Sequence, residues 1–161
     1  MLNSKKNFFF RLTFLISLFA LISAYFIEYI LGHQPCNLCL IERIPYVLAL
    51  IVIIIKFKFN HLEKYLILLL IFIFFTGTVI SLYHFGIEKG FIKESLVCDL
   101  KNSSKILSKE EILQQLQHKI VSCKDVTFKI FGFSLTVLNI TISLLITIFF
   151  TKIYLSYEKN K

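Results

Sequence analysis

Residues 65–85 read YLILLLIFIFFTGTVISLYHF, a run without a single Asp, Glu, Lys or Arg. A bilayer core about 30 Å thick is crossed by about 20 apolar helical residues, so this run predicts a membrane-spanning helix. Residues 130–151 are equally free of charge. Outward from these two, residues 12–31 carry only Glu28, near the end where a carboxylate reaches the interface. Residues 40–59 make a fourth, weaker span, with Glu42 and Arg43 at its start and Lys56 and Lys58 at its end. Terminal lysines lengthen a span by laying their stems along apolar surface and keeping their heads in water. An ionisable pair inside a span points to function.

Composition agrees. The 161 residues are 57% hydrophobic with no tryptophan, and mean hydropathy is +0.75, too apolar for an ordinary soluble domain. No linker or repeat divides residues 1–161, which predicts one all-α membrane domain, a four-helix bundle. The net charge of +8 sits mostly at the ends of apolar runs and makes no basic stripe with exposed aromatics. This fits anchoring at lipid and excludes nucleic acid as the expected partner. Residues near the start also admit a signal-peptide reading, with Lys5, Lys6 and Arg11 as the charged region. Their apolar core is longer than the usual 7–15 residues or so, and no clear cleavage pattern follows.

Four spans leave three connections, so the first (32–39) and the third (86–129) share a side. All four cysteines fall there: Cys36 and Cys39 in the first, Cys98 and Cys123 in the third. Hydropathy alone sets the spans, so the shared side of the cysteines supports the topology independently. Lys5, Lys6 and Arg11, then Lys56, Lys58 and Lys64, then Lys152, Lys159 and Lys161 crowd the other side. The third connection holds eight lysines, diluted by six acidic residues. The positive-inside rule therefore predicts an inner-membrane protein with both termini cytoplasmic and the cysteines in the oxidising periplasm.

Cys36-Asn37-Leu38-Cys39 is a C-x-x-C pair, a spacing shared by redox pairs, zinc sites and c-type haem attachment. Haem attachment needs His directly after the second cysteine, where Leu40 stands. A structural zinc site would want a second close pair, and Cys98 and Cys123 are far apart; no metal is expected. A Cys36–Cys39 bond closes a very small ring and reads as a reactant. A Cys98–Cys123 bond would enclose a long loop and, taken alone, reads as a stabilising cross-link; beside a C-x-x-C on the same face, a redox role is favoured.

Arg43 follows Cys39 by four residues, one helical turn deeper on the same face if the helix starts near Leu38. A fixed cation there would favour the Cys39 thiolate and could hydrogen-bond a quinone carbonyl. The competing reading is an interfacial anchor paired with Glu42. Pro45 bears on the choice, because opening a helix at that proline would weaken the same-face relation.

Residues 35–43, Pro-Cys-Asn-Leu-Cys-Leu-Ile-Glu-Arg, resemble the P-C-x-L-C-x-x-E-R signature of the DsbB family. Tyr83-His84-Phe85-Gly86-Ile87-Glu88 is similar to a Y-H-x-G-x-E form found in part of that family. Cys98, and Cys123 with Gly132 beyond it, extend the likeness across the chain. The resemblance implies a disulfide-generating oxidoreductase in which a DsbA-like periplasmic thioredoxin-fold dithiol protein is reoxidised. Cys98 would form the mixed disulfide with that partner and release Cys123. Exchange with Cys36–Cys39 would then free Cys39 beside a quinone, with ubiquinone expected ahead of menaquinone, and Arg43 would assist. Oxidation of the periplasm by DsbA, DsbB and quinone is an established general scheme.

His84 closes the third span on the cysteine side, where it can contact quinone or handle protons; an interfacial histidine without a role is an equal reading. His33, His61 and His118 read as loop or surface residues, and Glu88 as solvated. From Ser108 to Ile120 a capping-box start and apolar residues at helical spacing predict a short amphipathic helix lying on the bilayer. The alternative function is a non-enzymatic membrane scaffold or small transport subunit with structural disulfides. A cytochrome-like carrier would need inward-facing histidines, and only His84 is near a span.

Overall fold

The computed structural model describes residues 2–59, 62–93, 123, 129–130 and 133–159. Cys98, His61, His118 and the expected amphipathic helix lie outside the described residues. The described chain forms α1 (Leu2–Tyr29), α2 (Asn37–Ile41), α3 (Ile44–Lys58), α4 (Glu63–Glu88), a two-residue hairpin β1 (Lys129–Ile130) and β2 (Phe133–Ser134), and α5 (Leu135–Lys159). Four helical stretches are long and apolar enough to cross a membrane: Lys6–Tyr29, Asn37–Lys58, Glu63–Glu88 and Leu135–Ser156. The protein is an all-α, four-helix membrane bundle.

Bilayer as solvent explains the distribution of side chains. Ile22, Phe72, Phe75 and Leu82 all point outward, where lipid receives them. The interior is also apolar, centred on Phe10, Ala49, Ile53, Ile67, Phe74 and Phe150. The extensive helix contacts are α4 with α5, α1 with α3, and α3 with α4. The α1–α5 seam is closed at the end away from the cysteines by Phe9 stacked on Phe149 at 5.4 Å and Phe10 edge-on to Phe150 at 5.3 Å.

Local chemistry sets the helix limits. Pro45 occupies the first turn of α3 and has no N–H to offer Ile41, so the second span breaks between α2 and α3. There Arg43 N donates to Leu40 O at 3.2 Å, while Tyr46 N and Val47 N both turn to Arg43 O at 3.2 Å. The fourth span opens at Leu135, after the hairpin pairs Lys129 with Ser134 and Ile130 with Phe133. Ser134 Oγ accepts from Thr136 N at 3.3 Å and caps the helix. Removing such a cap costs about 1 kcal/mol, so Ser134→Ala should lower unfolding free energy in detergent by about that amount. Thermal melting followed by circular dichroism checks this.

At the other end of α4, Gly90 has φ +76°. Its N–H donates to Ile87 O at 2.9 Å and Phe91 N donates to Gly86 O at 2.9 Å, the paired bonds that close a helix through a left-handed residue. A side chain at Gly86 would meet Ile92 Cδ1 at 2.7 Å, so a glycine suits the chain where it folds back.

The lysine end is more tightly built than snorkelling alone requires. Lys58 is exposed, but Lys56 is only 3% exposed. Its Nζ lies 4.7 Å from the Phe10 ring centroid and donates to Asn7 Oδ1. Lys6 pairs with Glu63 at 2.7 Å. These contacts bind the starts of α1 and α4 to the end of α3.

Candidate functional site

Cys36 and Cys39 are joined by a disulfide at the head of the second span. Cys36 is the residue before α2, and its Sγ accepts from Cys39 N at 3.2 Å. His84, 2% exposed, reaches the pair from α4, with Nε2 3.6 Å from Cys36 Sγ. Its Nδ1 is 2.8 Å from Glu42 Oε1. An ionised carboxylate only accepts, so in the neutral imidazole that bond takes the proton on Nδ1 and turns the Nε2 lone pair to the sulfur.

Glu42 is itself fixed. Asn139 of α5 donates through Nδ2 to Glu42 Oε2 at 2.9 Å and to Ser81 Oγ at 2.8 Å, and its Oδ1 accepts from Tyr46. One amide thus uses both its donors and its acceptor to lock α3, α4 and the α2–α3 break together. Polar groups shielded from water are costly unless paired; here the pairs run in sequence from Tyr46 to Cys36.

Arg43 takes a different partner from the Glu42 of the anchor reading. Its Nη1 donates to Glu28 Oε2 at 2.6 Å, and its Cζ lies 5.1 Å from the Tyr25 ring centroid. Glu42 is already engaged by His84 and Asn139, and the break before Pro45 turns Arg43 towards α1. The uninterrupted turn from Cys39 to Arg43 is therefore absent, yet both residues face one cavity.

That cavity has a volume of about 670 Å³. Cys36, Cys39, Glu42, Arg43, His84 and Cys123 line its polar end, and Leu15, Phe19, Leu138 and Ile142 are among its apolar walls from α1 and α5. Cys123 is 1% exposed and packs in a cluster with Cys36, Leu38 and Ile87. It is disulfide-bonded, so no described cysteine is a free thiol.

Of the site residues expected from sequence, Cys36, Cys39, Cys123, Arg43 and His84 converge here. His33 also lines the cavity. Glu88, the last residue of α4, is half-buried with Oε2 sealed from solvent, unlike the solvated residue expected, at the point where residues 90–92 fold back on the helix. Sequence reasoning missed Glu42 as the partner of His84, and missed Asn139, Ser81 and Tyr46. The available signal was an Asn inside an uncharged span, since amide side chains within a span face partners. Among the described residues, Cys36, Cys39 and His84 also have ligand-type atoms within 4.8 Å of one another.

With this geometry in view, comparisons with known proteins are informative. The family model described as "Disulfide bond formation protein DsbB" matches residues 6–153. "Uncharacterized protein RP370" of Rickettsia prowazekii (strain Madrid E) is 31% identical over 148 residues, which covers 91% of this chain and 86% of that protein. No solved structure matches.

Proposed function

Because the chain belongs to the DsbB family and is thus a disulfide-forming, multi-pass membrane oxidoreductase, we propose that it reoxidises a periplasmic DsbA-like dithiol protein and delivers the electrons to a membrane quinone. The observation that carries this reading is the convergence of Cys39, Arg43, His84 and Cys123 on one apolar-walled cavity beside the Cys36–Cys39 bond.

In this scheme a thiolate of the partner attacks Cys98 in a Cys98–Cys123 disulfide, forming a mixed disulfide and releasing Cys123. The partner's second thiol resolves the mixed disulfide, leaving Cys98 and Cys123 reduced and the partner oxidised. Cys123, packed beside Cys36, attacks Cys36 and releases Cys39 as thiolate. Cys98 then closes on Cys123, so that the two electrons reside on the Cys36 thiol and the Cys39 thiolate, and the second proton passes to water. The role of Cys98 comes from the family motif.

The cavity suits a quinone in two respects: its apolar walls match an isoprenoid tail, and Arg43 retains N–H donors beyond the one given to Glu28. Arg43 with Cys39 and His84 would hold the head group. A bound quinone, with ubiquinone preferred to menaquinone, supplies the terminal acceptor for two electrons and two protons. As Cys36 and Cys39 re-form their bond, His84 Nε2 accepts the Cys36 proton and Glu42 stabilises the resulting imidazolium. Arg43 favours the Cys39 thiolate.

Purified protein mixed with reduced thioredoxin-fold partner and quinone should bleach quinone absorbance in step with partner oxidation. Partner oxidation that continues at the same rate without quinone would overturn the reading. Arg43→Ala should raise the quinone KM by about 10–100-fold, the loss of one hydrogen bond from a charged donor, and leave single-turnover oxidation of the partner unchanged. The proposed setting is the inner membrane with cytoplasmic termini. An impermeant thiol reagent should then label the reduced cysteines from the periplasmic side alone.

A further inference from the structure

We propose that reduction converts the Cys36–Cys39 pair and His84 into a binding site for a soft divalent cation, zinc or cadmium, which holds the enzyme in an off state. The inference rests on the functional reading only in taking the pair to cycle between disulfide and dithiol. The observation behind it is that three ligand-type atoms, two cysteine sulfurs and an imidazole nitrogen, lie within 4.8 Å of one another, with Cys36 and His84 buried and Cys39 half-buried.

The distances fit zinc. Bonds of about 2.3 Å to sulfur and 2.0–2.1 Å to nitrogen at tetrahedral angles separate S from N by about 3.6 Å. Cys36 Sγ and His84 Nε2 stand 3.6 Å apart. The two sulfurs, bonded now, would move to about 3.8 Å once reduced, a short opening within the C-x-x-C turn. The bond from Nδ1 to Glu42 Oε1 at 2.8 Å fixes the tautomer that presents the Nε2 lone pair. A carboxylate behind a ligating histidine is the usual support of a zinc site. Thiolate and imidazole donors select such cations over magnesium or calcium.

The charges balance. The partner's dithiol supplies two electrons, and the disulfide becomes the Cys36 thiol and the Cys39 thiolate. One M²⁺ then displaces the Cys36 proton, giving two thiolates and a neutral imidazole, with no net charge on the metal and its three ligands. All three ligands line the cavity, which leaves the fourth position to water. With both sulfur lone pairs committed to the metal, the disulfide cannot re-form.

The test uses full-length protein in detergent with Cys98 and Cys123 replaced by Ala, so that only the inner pair can bind, and needs neither partner nor quinone. After reduction and removal of reductant under argon, zinc is titrated against a chromophoric chelator, and Co²⁺ is titrated with visible spectroscopy. The expected results are one metal per reduced chain, none per oxidised chain, one proton released, and the intense visible bands of tetrahedral thiolate-bound Co²⁺. His84→Ala should weaken binding at least 10-fold, and Glu42→Gln by about 10-fold as the positioning residue. Circular dichroism confirms that each variant is folded; wild-type protein is titrated alongside in case the double variant is not. Equal binding by oxidised protein, weak octahedral Co²⁺ bands, or binding indifferent to His84 would overturn the proposal. Loss of metal binding with quinone reduction intact would defeat this inference alone, and the reverse result would defeat the functional reading alone.

Discussion

Cys39→Ser is expected to abolish steady-state oxidation of the thiol partner, a loss of at least about 10³-fold. Serine has nearly the shape of cysteine but cannot form a disulfide or act as a two-electron donor. The bond at the head of α2 is therefore lost and nothing in the cavity can replace it. A single round of partner oxidation should survive, because a Cys98–Cys123 bond would remain to be attacked. Stopped-flow mixing with reduced partner would therefore yield one equivalent of oxidised partner and then stop. Continued turnover would mean that the inner pair lies off the path.

His84→Ala should be the next most damaging change, slowing turnover by about 10²–10⁴-fold, the range for loss of a positioned general base. The side chain removed is buried, with Nε2 3.6 Å from Cys36 Sγ and Nδ1 on Glu42. Its loss leaves Glu42 with Asn139 alone, so a stability cost of about 1–3 kcal/mol accompanies the kinetic one. The pH profile separates the two effects. Without a base beside it, the sulfur must ionise unaided, and the variant's rate should climb about tenfold per pH unit through neutrality, since only the thiolate reacts. A purely structural defect would lower the rate by the same factor at every pH.

Much of this architecture is legible in the sequence, for a physical reason. Hydropathy reports the environment of each segment directly, so four charge-poor stretches predict four spans, and four spans predict that the first and third connections, which hold all four cysteines, share a side. The limits of those spans are less legible, because local hydrogen bonding sets them: the Ser134 cap starts α5 at Leu135, five residues past the hydropathy boundary at 130, and Pro45 splits the second span. The C-x-x-C pair and Arg43 stand out because they are close in sequence. The His84–Glu42–Asn139 chain does not, since Glu42 is 42 residues from His84 and 97 from Asn139, and only the packing of α4 and α5 brings them together. Arg43 shows the limit of helical periodicity. Spacing puts it under Cys39, whereas the break before Pro45 and the carboxylate of Glu28 decide where it points.

In the proposed reaction the membrane oxidant meets the sulfur pair in the cavity between α1 and α5. Irradiation of the protein with a photoreactive quinone, followed by peptide mass spectrometry, tests it most directly. Labelling should concentrate on residues 15–27 and 135–142 and fade when Arg43 is replaced by Ala. Labelling that instead fell on the outward face of α4 around Leu68, Phe72 and Phe75, where a second apolar hollow lies, would contradict the account.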